Sequence, residues 1–294
     1  MNGLTSRVPV VRTANALRAR MSDYAEARHR TVLVPTMGAL HEGHLSLVRI
    51  AKRLGDRVIV SIYVNPTQFA PGEDFDAYPR DTAADLDKLA SEGVDLVYTP
   101  DAHSMYATDH STRIIVGGVG DGLETDHRPT FFHGVALVVL KLFNRVGPDL
   151  AVFGEKDYQQ LAVIRRMVRD LDLPVEIVGA PIARDAQGLA LSSRNRYFDE
   201  KQIETARRLN AVMFAARDRL EAGEPSGTVL ADAQSALGEA GFDTVDYVSL
   251  AGAASLALHD GGTVSTPQRL LVAAHCHGVR LIDNCAVQPP EDNS

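Results

Sequence analysis

The chain has 294 residues, 45% of them hydrophobic and 23% charged, an average globular composition with material for one large domain or two ordinary ones. Its formal net charge of −8 argues against a broad electrostatic footprint for DNA or RNA, while leaving room for a small basic pocket around one phosphorylated ligand. Two cysteines, Cys276 and Cys285, are too few for a secreted disulfide framework and fit a reducing cytosol, and no apolar run approaches the roughly 20 residues that span a bilayer.

Six arginines in the first thirty residues, against Asp23 and Glu26, superficially resemble a transit peptide. Such peptides are acid-poor and Ser-rich, and this segment is neither. The expectation is a surface helix from about Thr13 to Arg28. Thr31 to Val34 reads as a strand, followed by a Gly-containing loop and an apolar-periodic helix carrying Leu45, Leu47, Val48, Ile50, Ala51 and Leu54. Val58 to Val64 is a near-continuous apolar run, the pattern of a strand covered on both faces. A helix over about Thr82 to Glu92 leads to a strand at Leu96 to Tyr98, and another near Phe132 to Val146 leads to one at Leu150 to Phe153. Gln159 to Leu171 reads as helix and Val175 to Val178 as the next strand. This alternation predicts an α/β fold with a parallel sheet and crossover helices.

The pattern changes after about Ala183. Asp199 to Ala222 predicts a long amphipathic helix, and Ser226 to Leu237 another, stopping at Gly238. Val245 to Leu250, Leu270 to Ala274 and Arg280 to Asp283 then predict an antiparallel sheet with His277 and Gly278 in a turn. The expected division is therefore a parallel-sheet domain over 1–183 and a smaller α+β C-terminal domain over 184–287. The tail, 288–294, is rich in Pro, Asp and Asn and is expected to be disordered.

Chemistry concentrates where strands end, which is where open α/β sheets bind ligands. Val34 to His44 lies after the first strand of this alternation. Gly38 and Gly43 allow close backbone approach, and a helix beginning near Gly43 would offer N–H groups and its dipole to a phosphate. His41 and His44 stand three apart, so both rings can face one ligand. Zinc is disfavoured, because His-Glu-Gly-His lacks the spacing of an H-E-x-x-H helix. Phe153 to Gln160 also follows a buried strand, with Lys156 as a compact phosphate-binding charge and Asp157 able to cap the next helix. In Gly188 to Arg194, two hydroxyls and a guanidinium suit phosphate oxygens. Asn65 to Gln68, Glu124 and Arg128 are further polar candidates. The glycines of Gly117 to Gly122 fail the G-x-G-x-x-G spacing and are read as a turn.

Four segments together, Pro35 to His44, Asn65 to Phe69, Phe153 to Gln160 and Leu191 to Asn195, resemble the pantothenate synthetase family, also called pantoate–β-alanine ligases. They occur in the family's order, and the resemblance runs from about Val8 to Val287. It implies a Rossmann-like domain binding ATP and pantoate, with a HIGH-type signature here written His-Glu-Gly-His, and a C-terminal lid domain. It also implies a cytoplasmic homodimer that condenses pantoate with β-alanine through a pantoyl adenylate, releasing AMP and pyrophosphate, with Mg2+ entering as Mg-ATP. No nucleic-acid or membrane partner is expected.

By the same resemblance, ATP would contact Met37, Gly38, Ala39, Leu40, His41, Glu42, Gly43 and His44, then Gly154, Glu155, Lys156 and Asp157, then Ala183, Leu191, Ser192, Ser193 and Arg194. Gln68 and Gln160 would hold pantoate, with Gln68 also bordering β-alanine. His44, His41, Lys156 and Arg194 would be the catalytic set. A helix N-terminus disfavours a charged histidine, so His44 is expected to act first as a neutral donor stabilising charge. Two positions depart from the family. Phe131 occupies the usual histidine position, with His133 two residues on. Beside Asp85, where some relatives cluster acids, stand Ala84 and Lys88, so no protein-only metal site is expected. The competing readings are another nucleotidyltransferase, separated by pantoate-dependent pyrophosphate exchange, and a nucleotide-binding regulator without turnover.

Overall fold

The computed structural model describes residues 8–69 and 75–290. In chain order its helices and strands are β1 (Val10–Val11), α1 (Ala14–Glu26), β2 (Thr31–Thr36), α2 (Glu42–Leu54), β3 (Arg57–Ile62), α3 (Thr82–Ser91), β4 (Leu96–Tyr98), α4 (Ala102–Met105) and α5 (Glu124–His127). There follow α6 (Phe131–Val146), β5 (Leu150–Gly154), α7 (Tyr158–Asp170), β6 (Glu176–Ala180), α8 (Glu200–Glu221), α9 (Ser226–Glu239), β7 (Thr244–Gly252), β8 (Gln268–Cys276) and β9 (Val279–Val287). They form two compact units. One is Met1–Val116, Arg128–Glu155 and Gln160–Pro181; the other is Gly117–His127, Lys156–Gln159 and Ile182–Ser294.

Among the described residues the first unit holds a six-stranded sheet in the order β1-β4-β3-β2-β5-β6, parallel throughout. Val32, Leu33, Val34, Ile59 and Val60 are fully buried, which is why these strands read as unbroken apolar runs rather than alternating ones. One face packs Leu40, Leu47, Val48 and Ala51 against Val32, Val34, Val58, Val60 and Val152. The strongly apolar α6, with Val135, Ala136 and Val139 buried, packs with α1 and β2. From β2 the chain moves outward to β3, and β5 later returns on the other side of β2. The order therefore reverses between β2 and β5, the switch point at which sheets of this kind bind ligands beyond their carboxyl ends.

The second unit packs α8 and α9 on the antiparallel sheet β7-β8-β9, around a core that includes Leu209, Met213, Leu220, Val229, Leu237, Leu270 and Val272. His277 and Gly278 both have positive φ and join β8 to β9 across the pair Cys276–Val279, the geometry of a two-residue hairpin. A sequence boundary at 183 is contiguous, whereas 117–127 and 156–159 cluster with the second unit. Side chains explain this. Glu124 accepts from the Tyr247 hydroxyl at 2.7 Å and from both terminal nitrogens of Arg280 at 2.8 Å. Gln159, 3% exposed, donates to the carbonyls of Val119 and Gly122 and accepts from the Glu124 amide.

The short β1, α4 and α5 carry no periodic signal, and α9 runs through Gly238 to Glu239 rather than stopping before it. Both cysteines are free and buried, and the register pairs Cys285 with Leu270, so the thiols do not face each other. Of the expected tail, residues 291–294 lie outside the described residues, while the Gln288 amide donates to Glu221 at 2.9 Å. No helix among the described residues is long and apolar enough to cross a membrane.

Candidate active site

The turn after β2 is built by hydrogen bonds from three directions. Thr36 donates its hydroxyl to the Ser61 carbonyl at 2.7 Å and accepts the Gly38 amide at 3.3 Å. Gly38 and Ala39 both have positive φ, +81° and +51°, which for alanine costs on the order of 1 kcal/mol. The buried Asp85 carboxylate takes the Ala39 and Leu40 amides, each at 2.8 Å. Lys88 donates to the Leu40 carbonyl at 2.7 Å.

This turn delivers His41 as the N-cap of α2. Nδ1 of His41 accepts the Gly43 amide at 3.1 Å, and Nδ1 of His44 accepts the His41 amide at 3.4 Å, a reciprocal capping box made of two histidines. Their ring centroids are 4.1 Å apart. A backbone N–H can only donate, so each neutral ring must carry its proton on Nε2. Both histidines are thereby set up as Nε2–H donors at a helix N-terminus, a place that also favours anions. Of the helix N–H groups expected to favour a phosphate, the Gly43 amide is taken by His41.

The turn after β3 lies in the same unit. Gln68 donates to the Met37 sulfur at 2.9 Å, which brings together two of the residues selected from sequence. Asn65 fixes the other end of the Gln68 side chain, donating to its Oε1 at 3.1 Å and to the Gly134 carbonyl at 3.2 Å. Asn65 is itself held by the Tyr106 hydroxyl at 2.9 Å. Arg128 donates to the Gln68 carbonyl at 3.2 Å and stacks on Phe131, with 3.7 Å from the guanidinium carbon to the ring centroid. Phe131 thus supports an arginine that steadies the Gln68 turn. Gly154 ends β5, Glu155 opens the 3-10 turn after it, and Gln160 follows on α7, half-buried.

Lys156, Asp157, Ala183, Leu191, Ser192, Ser193 and Arg194 fall in the second unit. There Asn284 on β9, 2% exposed, donates to the Lys156 carbonyl at 2.8 Å. Its neighbour Asp283 receives both terminal nitrogens of Arg184, at 2.6 and 2.8 Å. Arg184 also donates to the Gly188 carbonyl at 3.0 Å, and the Leu191 amide to Ala183 at 2.9 Å. Ser192 caps the following 3-10 turn, Ser193–Tyr197, by accepting the Arg194 amide at 3.3 Å. Adjacent residues of one strand therefore hold both the Lys156 segment and the loop that ends in Ser192, Ser193 and Arg194.

A family model described as pantoate-beta-alanine ligase matches residues 9–286. The chain belongs to the pantoate–β-alanine ligase family. Its activity is that family's, the joining of pantoate and β-alanine by an enzyme. A pantothenate synthetase of Mesorhizobium japonicum is 54% identical over 282 residues, covering 96% of this chain and 99% of that protein. Among solved structures, the enzyme of Thermus thermophilus is similar at 42% identity and a TM-score of 0.87, covering 96% of this chain and 100% of that one. The pantoate-beta-alanine ligase of Francisella tularensis, complexed with beta-gamma ATP and beta-alanine, is similar at 31% identity and a TM-score of 0.80, over 95% of this chain and 97% of that one.

Several residues that hold these candidate segments in place carry no motif signal of their own. Asp85 stands out only as an acid beside Lys88, and Tyr106 and Asn284 not at all, because each acts through partners far along the chain. Gly134 is legible only from the room that the Thr67–Gln68 peptide needs. Asp85, which faces the turn, has an amide on each oxygen. Among the described residues no group of three or more His, Cys, Asp or Glu is placed to hold a metal ion. The Gly38, Ala39, Leu40, His41 and Gly43 amides are each accepted by a side chain, and the Nε2–H groups of His41 and His44 are donors of a kind that suits phosphate oxygens.

Proposed function

We propose that the enzyme condenses pantoate with β-alanine in two half-reactions that consume ATP. A pantoate carboxylate oxygen attacks the α-phosphorus, forming pantoyl adenylate as the bond to pyrophosphate breaks. The amine of β-alanine then attacks the acyl carbon, loses a proton, and expels AMP. The observation that carries this reading is the paired histidine cap, in which both Nδ1 atoms accept backbone amides. Two neutral Nε2–H donors suit the first half-reaction, which needs alignment and charge neutralisation more than proton transfer.

In this reading His44 and His41 donate to phosphate oxygens, and Lys156 and Arg194 add positive charge. Met37, Gly38, Ala39, Leu40, Glu42, Gly43, Gly154, Glu155, Asp157, Ala183 and Leu191 line the nucleotide. Gln68 and Gln160 hold pantoate, and Gln68 also borders β-alanine. Mg2+, entering as part of Mg-ATP, would offset phosphate charge. Ser192, Ser193 and Arg194 cover the adenylate against hydrolysis, which protease protection near residue 190 on adding ATP would support. Support for ATP and β-alanine as substrates comes from the Francisella tularensis relative complexed with beta-gamma ATP and beta-alanine. A cytoplasmic homodimer completes the proposal, with the two free, buried cysteines in keeping with a reducing compartment.

Pantoate-dependent exchange of pyrophosphate into ATP without β-alanine tests the first half-reaction, and AMP release requiring both substrates tests the second. Exchange without pantoate would indicate a different nucleotidyltransferase. ATP binding with neither exchange nor AMP release would indicate a regulator.

A further inference from the structure

Asp85 and Lys88 stand three residues apart on α3 and so share a face. Neither is used in the helix N-cap, which Asp81 supplies. Asp85 is 2% exposed, and a carboxylate so deeply placed needs its lone pairs occupied. Oδ2 takes the Ala39 amide and Oδ1 the Leu40 amide, while Lys88 donates to the Leu40 carbonyl. The two peptide units that flank Leu40 are thus held from one helix, one by its N–H and the other by its C=O. The grip falls on the residue with φ of +51°, Ala39, a conformation that persists in a non-glycine residue only when surroundings enforce it. Directly after Leu40 comes His41, the N-cap whose ring and amide both enter the histidine pair.

We infer that Asp85 and Lys88 are positioning residues for the ligation, setting the backbone from which His41 and His44 present their Nε2–H groups. Neither touches substrate in this account; both act through the Ala39 and Leu40 peptides. A donor displaced by about 1 Å can cost on the order of 10²-fold in rate, so a small shift of this turn is enough to register. The alternative, Asp85 as a cation ligand, would set a cation on a carboxylate whose two oxygens each already accept an amide and whose helix carries the Lys88 ammonium three residues on. The inference rests on the two-step reading above, so wild-type pyrophosphate exchange is measured first.

The test compares Asp85→Asn, which keeps one acceptor but turns a donor towards the other amide, with Lys88→Met, which keeps the stem and removes the donor. Each is expected to lower kcat for pantoate-dependent exchange by about 10- to 100-fold, with KM for β-alanine in the full reaction unchanged. The Mg2+ concentration giving half-maximal rate should not move. Because both residues hold Leu40, one by its N–H and the other by its C=O, the double variant should lose less than the product of the single losses. Wild-type exchange at full rate in a folded Asp85→Asn enzyme overturns the inference, as does rescue of that variant by excess Mg2+. If Asp85→Asn does not fold, Lys88→Met decides alone, and an unchanged kcat there overturns it. A wild type without exchange refutes the two-step reading instead.

Discussion

Gly134 on α6 faces the peptide between Thr67 and Gln68 with no room for a methyl group. A Cβ at Gly134 would stand 2.8 Å from the Gln68 nitrogen and closer still to the Thr67 carbonyl. The contact is with backbone, so no side-chain rotation relieves it. Gly134→Ala must push the Pro66–Gln68 turn away from α6, and with it the Gln68 amide and its contact to Met37. Overpacking of this kind costs about 1–3 kcal/mol. If Gln68 holds pantoate, KM for pantoate should rise about tenfold, corresponding to ~1.4 kcal/mol, with KM for ATP little changed. Steady-state kinetics with each substrate varied in turn checks this, and an unaltered pantoate KM would detach Gln68 from that role.

The histidine cap allows structure and chemistry to be separated at one position. Asparagine is a good N-cap, so His41→Asn should keep the helix start, whereas His41→Ala should lose about 1 kcal/mol of stability. Both variants remove the Nε2–H group, so both should lose adenylate formation to the same extent. An Asn variant that retains exchange activity reduces His41 to a cap. For His44→Ala and Lys156→Ala, loss of one preorganised donor to developing charge is expected to cost about 10²–10³ in exchange rate. Near-wild-type exchange in either variant would remove that residue from the catalytic set.

These positions also mark how far the sequence could be read. Parallel strands buried on both faces announce themselves as apolar runs, so Thr31 to Val34 and Val58 to Val64 located β2 and β3 within two residues. The segments after β2 and β5 could be singled out because they follow buried strands directly. What stayed hidden is long-range and specific. Nothing near Asp85 states that its partners lie 46 and 45 residues away, and nothing near Glu124 announces Arg280, 156 residues on. Hydrogen bonds between distant segments leave no periodicity, and for the same reason a contiguous boundary at 183 could not anticipate that 117–127 clusters with the second unit. The reciprocal use of His41 and His44 as caps was likewise out of reach, since histidine is not among the preferred N-cap residues.

Glu124 anchors its segment through charge buried among the strands of the small sheet. It is 5% exposed and meets Arg280 in a two-point ion pair, with Asp246 taking the Arg280 Nε at 2.7 Å. Burial, with the Glu124 carboxylate beside it, pushes the Tyr247 hydroxyl far above its ordinary pKa, so it stays a donor. Removing one partner of such a pair leaves a buried charge short of compensation and typically costs about 3–5 kcal/mol. Glu124→Ala should therefore lower stability by that order in denaturant unfolding. A loss within the ~0.5 kcal/mol usual for surface substitutions would mean that Asp246 alone compensates Arg280.

Cys285 gives the fold a pH dependence whose sign can be worked out. Burial pushes its thiol up to about 12 from an ordinary value of 9.0, because the low-dielectric core penalises the thiolate. Below the ordinary value both folded and unfolded chains keep the proton, and the stabilisation from burial is fully present. Between 9.0 and about 12 the unfolded chain ionises and the folded one does not, so stability falls as pH rises. The slope contributed by this group cannot exceed about 1.4 kcal/mol per pH unit. Lysines and tyrosines titrate in the same range, so the measurement is a difference: Cys285→Ala should unfold with a flatter alkaline limb than the wild type. At neutral pH the native thiol should react slowly with a disulfide reagent, and rapidly once denatured. Fast labelling of the native enzyme at Cys285, with parallel alkaline limbs in the two proteins, would show that the thiol reaches solvent without unfolding.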